Sequence, residues 1–359
     1  MKKNYLQSFE SYRGLSACMI CAAHFNVNSP ITMHALANGL LVNFFFVLSG
    51  FVMYLTYHNR LIDFNSVKNF LIKRFFRLYP LHLLFLIVFV IIEISKYFVQ
   101  IKYGLVANNE AFSDNNFKSF LGNIFLVQTF FDYNSFNTPS WSISAEFYTY
   151  MIFGLVFFFM KKTNLLIFDS LVGILIFRIN SEVGLGYDKT YLSFLDCVYS
   201  FFIGVFSCKI YFKYSNHETY KKYYSIASLI LLIASCLLII NVGDKLTFKI
   251  PFFYGALLIF SANLKSETIL GKIICNKFFV YLGSISYSIY MCHLFVFWSL
   301  TQFLRFIVKL ETIVDDNGIT KLDLSIPEAT IVVITSYILT IILSHILYNY
   351  FEKRFLKSS

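Results

Sequence analysis

Ten apolar stretches, some of them short or polar, dominate this sequence. A hydrocarbon core about 30 Å thick requires roughly 20 consecutive apolar residues in an α-helix. Apolar residues make up 57% of the chain and charged residues only 14%, whereas a soluble domain carries about 25% charged residues. We therefore predict an all-α integral membrane protein, a bundle of about ten transmembrane helices. The predicted spans lie near 11–28, 38–58, 79–99, 141–160, 164–180, 190–211, 223–241, 250–264, 280–302 and 328–350.

The distribution of charge predicts the orientation of the chain. Lys and Arg concentrate in the cytoplasmic segments of membrane proteins. With a cytoplasmic N-terminus and ten spans, about two thirds of the 30 basic residues fall on the cytoplasmic side, which is the asymmetry expected of a membrane protein. Both termini are thus predicted to be cytoplasmic, and the net charge of +10 does not indicate nucleic acid binding. No repeat or linker is evident, so residues 1–359 are predicted to form one transmembrane domain without a fused soluble domain.

Arg13 and His24 are ionisable residues inside the first predicted span. Such residues are costly at membrane depth and commonly mark functional sites. Their separation of 11 residues is about 20° more than three helical turns, so both lie on one helix face, about 16 Å apart along the axis. An alternative stays open, in which Arg13 extends to the lipid headgroups and His24 bonds to a neighbouring helix.

Three cations, Lys73, Arg74 and Arg77, lie within five residues of one another beside the third predicted span. The commoner explanation for such a cluster is an anchor that contacts anionic lipid. Arg74 and Arg77 are also one helical turn apart, a spacing that suits bidentate contacts with phosphate groups on the cytoplasmic side. Both interpretations remain open at this point.

Glu146 places a carboxylate inside the fourth predicted span. It follows Pro139 and Ser140, which are typical of a helix start, and Trp141, which is typical of a membrane interface. An unpaired carboxylate at that depth is expensive. Glu146 is therefore expected to face the bundle interior and to meet a His or Arg, or else to be protonated.

Other polar residues in the spans have simpler explanations. The second predicted span contains Asn43 and Ser49, and the ninth contains Tyr287 and His293. Small and hydroxylated residues favour close helix packing, which accounts for all of these except His293. The seven cysteines are scattered through apolar segments, so neither a disulfide framework nor a metal site is predicted.

Five motifs in a fixed order make the chain resemble acyltransferase family 3, whose members are multi-pass membrane O-acyltransferases. In chain order they are Arg13 with His24, the FFFVLSGF segment at 44–51, Arg74 with Arg77, PSWSISAEFY at 139–148, and LGSISYSIYMCH at 282–293. Each motif alone is weak, but their order over nearly the whole chain is specific. Two departures exist: His82 stands where an aromatic residue usually follows Pro80, and no proline follows the C-terminal Glu352.

The resemblance implies that an acyl group, usually acetyl from cytoplasmic acetyl-CoA, is transferred to a hydroxyl of an extracytoplasmic or lipid-linked glycan such as O-antigen, capsule or exopolysaccharide. It implies a location in the bacterial inner membrane, contact with membrane lipid and with glycan-assembly machinery, and no metal. Arg74, Arg77 and Lys73 would bind the CoA phosphates, and Arg13 would stand near the cytoplasmic entrance. His24 would act as general base, oriented by Glu146. Trp141, Asn43, Ser49, Tyr287 and His293 would support the site.

Two other functions are compatible with polar residues in a helix bundle. A transporter or flippase for a lipid-linked saccharide would also place Arg, His and Glu there, although no inverted repeat is apparent. A non-catalytic scaffold in a glycan-assembly complex would tolerate substitution of these residues. The acceptor stays open, and the polar stretch 100–140 is either a sugar-contacting loop or a plain solvated one.

Overall fold

A computed structural model describes residues 6–25, 27, 29–32, 38–104, 109–159, 190–214, 223–241, 249–264, 267–314 and 320–357. Its helices, numbered in chain order, are α1 Gln7–His24, α2 Asn38–Tyr57, α3 Phe64–Tyr103, α4 Phe117–Ile124, α5 Gln128–Phe131, α6 Trp141–Phe159, α7 Thr190–Tyr214, α8 Tyr224–Asn241, α9 Ile250–Ser261, α10 Ile269–Ile274, α11 Lys277–Ser284, α12 Ser286–Phe303, α13 Ile326–Leu347 and α14 Lys353–Lys357. A 3-10 turn at Thr138–Ser140 precedes α6, and π-helical turns at Leu304–Val308 and Tyr348–Glu352 continue α12 and α13. Strands β1 Thr312–Val314 and β2 Thr320–Leu322 pair antiparallel.

The membrane-protein class predicted from the sequence is confirmed. Among the residues that the structure describes, six helical segments are long and apolar enough to cross a bilayer, and they fall on six of the ten predicted spans. Two further apolar helices, Tyr224–Leu237 and Ile250–Ser261, are shorter, and the more polar α1 occupies the first predicted span. The predicted span 164–180 lies outside the described residues. The number of ten spans and the cytoplasmic location of both termini therefore stay predictions.

Helix α3 is longer than the sequence pattern indicated. It runs for 40 residues, about 60 Å at 1.5 Å per residue, and begins well before residue 79. The three cations at 73–77 therefore lie within the helix rather than ahead of it. Pro80 is also inside α3, where its missing N–H removes one backbone hydrogen bond. Membrane helices tolerate such prolines because neighbouring groups satisfy the freed carbonyl.

The chain divides into two compact units, each made from separate sequence segments. The first unit comprises Met1–Ser16, Ala37–Phe75 and Ala145–Ser286, and the second comprises Ala17–Leu36, Phe76–Ser144 and Tyr287–Ser359. Several helices begin in one unit and end in the other, so candidate site residues that are neighbours in sequence belong to different units. One transmembrane domain over 1–359 remains a prediction.

Close packing of α2 against α7 organises the first unit. A Cβ atom added to Gly50 would overlap the carbonyl of Phe201, and one added to Gly204 would overlap the carbonyl of Val47. Only glycine at both positions allows the two backbones to approach so closely, which is a common way to join membrane helices. This contact fixes the helix face that carries Ser49.

In the second unit the end of α1 packs against α12 and α13. The ring of Phe25 stacks on Phe297 with centroids 5.0 Å apart and meets the edge of Tyr337 at 5.3 Å. The Tyr337 hydroxyl donates a hydrogen bond of 2.6 Å to the carbonyl of Cys18. These contacts hold the last turn of α1, and therefore His24, beside α12.

Candidate active site

His24 and His293 form a pair of contacting imidazoles in the second unit. The His24 Nδ1 atom lies 3.0 Å from the carbonyl oxygen of Ile20 and 3.2 Å from the Nε2 atom of His293. The Nδ1 atom of His293 lies 3.2 Å from the carbonyl oxygen of Ile289. Because a carbonyl oxygen only accepts hydrogen bonds, we assign the proton of each neutral ring to Nδ1.

This assignment makes one nitrogen of the pair a base. The unprotonated Nε2 of His293 accepts the Nδ1–H of His24, and the lone pair of His24 is then on its own Nε2. His293 is fully buried, whereas His24 lines a cavity of about 310 Å³. Within the described part of the chain no hydrogen-bond partner occupies the Nε2 atom of His24. An oriented neutral imidazole facing a cavity is the arrangement that a general base requires.

Arg13 lies on the same uninterrupted helix as His24, as the spacing predicted, but in the first unit. Its Nη1 atom is 3.2 Å from both carboxylate oxygens of Glu10, and its Nη2 donates to the Ser286 hydroxyl at 3.2 Å. Gly14 and Gly283 permit this contact, since a Cβ on Gly14 would lie 2.6 Å from the Gly283 nitrogen. Arg13 remains partly exposed.

Glu146 faces the interior of the first unit, where two hydroxyl groups contact it. One carboxylate oxygen accepts from the Ser49 hydroxyl at 2.8 Å and from the Tyr150 hydroxyl at 2.5 Å, and the two hydroxyl oxygens are 2.7 Å apart. The expected His or Arg partner is thus replaced, among the described hydrogen bonds, by neutral donors. Hydroxyl donors satisfy a carboxylate without placing a second charge inside the bundle.

Arg74 lies within an aromatic cage in the first unit. Its guanidinium carbon is 5.7 Å from the ring centre of Tyr57 and 5.9 Å from those of Phe70 and Tyr150, within cation–π range. One Nη atom donates to the Tyr57 hydroxyl at 3.3 Å, while none of the described residues forms a hydrogen bond with the buried Nε atom. Lys73 beside it is exposed. The guanidinium charge of Arg74 together with the exposed ammonium of Lys73 fits a phosphate-bearing ligand.

Arg77 has a different environment, in the second unit. Its Nη1 atom is 2.5 Å from a carboxylate oxygen of Glu352, which is 3% exposed and also accepts from the Ser288 hydroxyl at 2.7 Å. The guanidinium lies 5.8 Å from the ring centre of Tyr287, whose hydroxyl donates to the carbonyl of Leu78 at 2.5 Å. A carboxylate of the protein itself therefore compensates the charge of Arg77, a partnership that sequence spacing does not reveal.

Two other predicted site residues, Trp141 and Asn43, lie at the start of α6 and on α2. The carbonyl of Trp141, at the start of α6, accepts a 3.0 Å hydrogen bond from the Thr129 hydroxyl. Asn43 is buried on α2 and lies beside Asp196 of α7. Asp196 was not singled out from the sequence, although a carboxylate in an apolar span is a recognisable signal of function.

Comparisons with known proteins agree with the predicted class. The model of acyltransferase family 3, described as an acyltransferase domain, matches residues 6–348. The chain is similar to the acyltransferase MdmB of Streptomyces mycarofaciens, with 29% identity over 154 residues, which cover 41% of this chain and 36% of the relative. The chain thus matches only about a third of that relative's length. No solved structure matches the chain.

Proposed function

Because this chain belongs to acyltransferase family 3, a family of membrane acyltransferases, we propose that it transfers an acetyl group from cytoplasmic acetyl-CoA to a hydroxyl of an extracytoplasmic or lipid-linked glycan at a bacterial inner membrane. The observation that carries the proposal is the His24–His293 pair beside a cavity. A transporter or a scaffold needs no imidazole with a fixed tautomer, whereas an acyl transfer to an alcohol needs a base.

The proposed reaction is a direct transfer. The Nε2 atom of His24 takes the proton of the acceptor hydroxyl as its oxygen attacks the thioester carbonyl carbon. The carbon–sulfur bond then breaks, and the CoA thiolate takes the proton back from His24. The products are an ester of the acceptor and free CoA thiol, and His24 returns to its neutral form. His293 holds the ring of His24 in the required tautomer throughout.

Donor binding is proposed for Arg74 and Lys73, with Arg13 near the cytoplasmic entrance. The positive charge of Arg74 and the exposed position of Lys73 suit the phosphates of CoA. Since Glu352 already pairs with Arg77, we assign Arg77 to joining α3 to the C-terminal segment rather than to phosphate binding. Glu146 is assigned to fixing Ser49 and Tyr150, whose ring lies next to Arg74.

Transfer of labelled acetyl from acetyl-CoA to glycan, measured in membranes that contain the protein, tests the proposal. We expect His24→Ala to lower the rate about a hundredfold or more, the contribution usual for a general base. His345→Ala is the matched control, because His345 is another helical histidine but is exposed on α13. Acylation that survives His24→Ala would refute the mechanism, and movement of a lipid-linked glycan without acylation would favour the transporter.

A further inference from the structure

Two of the sequence motifs meet in the second unit, at the turn of α12 that carries His293. The first residues of the PSWSISAEFY motif, at 139–142, contact Tyr290 near the end of the LGSISYSIYMCH motif. We infer that Tyr290 is a positioning residue, which holds the ring of His293 in the orientation that accepts the Nδ1–H of His24. The inference rests on the proposed function only for its effect on catalysis, because the contacts themselves do not depend on the reaction.

The hydroxyl of Tyr290 joins α12 to the start of α6. It donates to the carbonyl oxygen of Pro139 at 2.9 Å, and its oxygen lies 2.8 Å from the Ser142 hydroxyl. The Ser142 hydroxyl in turn donates to the same Pro139 carbonyl at 3.0 Å. Both side chains are buried. The ring of Tyr290 is therefore fixed at both ends, by the backbone of α12 and by the hydrogen bonds of its hydroxyl.

A hydrogen bond in the opposite direction fixes the residue that follows Tyr290. The buried side chain of Asn137 donates from Nδ2 to the carbonyl oxygen of Met291 at 2.9 Å. A side chain of α12 thus bonds to the backbone ahead of α6, and a side chain ahead of α6 bonds to the backbone of α12. Two such bonds across one contact restrict both sliding and rotation of this turn of α12.

The ring of Tyr290 is also a neighbour of the His293 imidazole. The two ring centroids are 6.1 Å apart with an angle of 50° between the planes, and the His24 and His293 centroids are 5.0 Å apart. Tyr290 and His293 are three positions apart on α12, a spacing at which helical side chains meet. The bond from His293 Nδ1 to the Ile289 carbonyl is 3.2 Å, at the long end of the usual range. The fixed ring of Tyr290 therefore adds a second restraint on the rotation of the His293 ring.

The orientation of His293 matters because its two ring nitrogens have different roles. Its Nε2 atom accepts from the Nδ1 atom of His24 at 3.2 Å, which requires that this nitrogen face His24. Rotation of the His293 ring would remove this acceptor and leave the Ile20 carbonyl, at 3.0 Å. Loss of one of two acceptors weakens the preference for the His24 tautomer whose Nε2 atom carries the lone pair. Tyr290 thus acts on His24 through His293.

Nitrogen-15 NMR of the full-length protein in detergent, with labelled histidines, tests this role without catalysis. Protonated and unprotonated ring nitrogens of a neutral imidazole have different chemical shifts. The chain has seven histidines, so the His24 signals are assigned as those that are missing from His24→Ala. We expect a protonated Nδ1 and an unprotonated Nε2 in the unmodified protein. Tyr290→Phe is expected to move these two signals towards each other, because the second tautomer becomes populated.

Thr129→Val is the matched control for the loss of a hydroxyl. The buried Thr129 hydroxyl also donates to a backbone carbonyl at the start of α6, that of Trp141 at 3.0 Å, but from α5. We expect Thr129→Val to leave the His24 signals unchanged. The inference is overturned if Tyr290→Phe leaves these signals unchanged or if Thr129→Val shifts them equally. If Tyr290→Phe does not fold, Ser142→Ala, which removes one partner of the Tyr290 hydroxyl, decides by the same comparison, with a smaller shift expected.

A double-mutant cycle tests whether Tyr290 acts through His293. Tyr290→Phe alone is expected to lower kcat for acyl transfer about threefold, at the low end of the effect of one neutral hydrogen bond. The KM for acetyl-CoA is expected to stay unchanged. Added to His293→Phe, the same change should cause no further loss, because residues that act through one contact are not additive. A full threefold loss in the His293→Phe background would overturn the inference.

The two measurements separate this inference from the proposed function. His24 signals that depend on Tyr290, in a protein that transfers no label from acetyl-CoA to glycan, would support the role of Tyr290 in orienting the histidine pair and refute the acyltransferase proposal alone. Transfer that depends on His24, with His24 signals that do not respond to Tyr290→Phe, would support the proposed function and overturn the inference.

Discussion

Replacing His293 by Phe removes one of the two acceptors that orient the His24 ring. The Nε2 atom of His293 is 3.2 Å from Nδ1 of His24, while the carbonyl of Ile20 remains at 3.0 Å. A neutral hydrogen bond contributes about 0.5–1.5 kcal/mol, which corresponds to roughly two- to twelvefold in a rate. We therefore expect His293→Phe to lower kcat for acyl transfer by up to about tenfold, far less than the loss of about a hundredfold or more expected for His24→Ala.

Steady-state acyl transfer from labelled acetyl-CoA, with kcat and KM determined for both substrates, measures this effect. The KM for acetyl-CoA is expected to stay unchanged in His293→Phe, because no donor-binding residue is altered. His293→Gln is expected to restore most of the rate, since its amide oxygen can accept the Nδ1–H of His24. The reasoning is refuted if Gln is no better than Phe, or if His293→Phe, with an unchanged thermal unfolding midpoint, is as inactive as His24→Ala.

Three further predictions concern donor binding and packing. Arg74→Ala is expected to raise the KM for acetyl-CoA about tenfold with little change in kcat, because one charge-assisted contact is lost; a donor titration that gives an unchanged KM would contradict the assigned role. Glu352→Gln removes the carboxylate charge that pairs with Arg77. The variant is expected to lower the free energy of unfolding by about 2–3 kcal/mol, less than for a fully buried pair because Arg77 is partly exposed. Thermal unfolding in detergent measures the change, and an unchanged midpoint would argue against the pair. Gly204→Ala is expected to destabilise by about 1–3 kcal/mol through overpacking, whereas Gly154→Ala, whose added Cβ would meet only side-chain atoms at 3.0 Å or more, should cost less in the same assay.

Most of the membrane helices could be predicted from the sequence, because the length of an apolar run is a local property. The predicted span 38–58 and the helix Asn38–Tyr57 nearly coincide. The extent of α3 was missed because its first turns are polar and precede a proline. The hairpin β1–β2 was also missed, although Asn317–Gly318, between its two strands, is a strong hairpin signal.

Only those contacts of the candidate site that lie within one helix could be predicted from the sequence. The spacing of Arg13 and His24 predicts that both lie on one helix. The sequence spacing of Glu10 and Arg13 likewise predicts an i,i+3 ion pair, which the structure contains. The partner of His24 is 269 residues away in the chain, and the partner of Arg77 is 275 residues away. Such pairs depend on which helices pack together, which no local pattern encodes. The sequence predicts a His or Arg as the partner of Glu146, whereas its described hydrogen bonds come from Ser49 and Tyr150.

A neutral orienting residue suits a base that lies among membrane helices. A carboxylate beside His24 would stabilise the imidazolium, but burying that charge among apolar helices costs several kcal/mol. The acceptors that face the Nδ1–H of His24, the Ile20 carbonyl and His293, are both uncharged, so the resting pair carries no buried charge. The imidazolium formed by proton abstraction then has no counter-ion in this pair, which favours rapid return of the proton to the leaving thiolate. The pair therefore fits a direct transfer, in which the proton is taken and returned within one step, better than a long-lived acyl-enzyme.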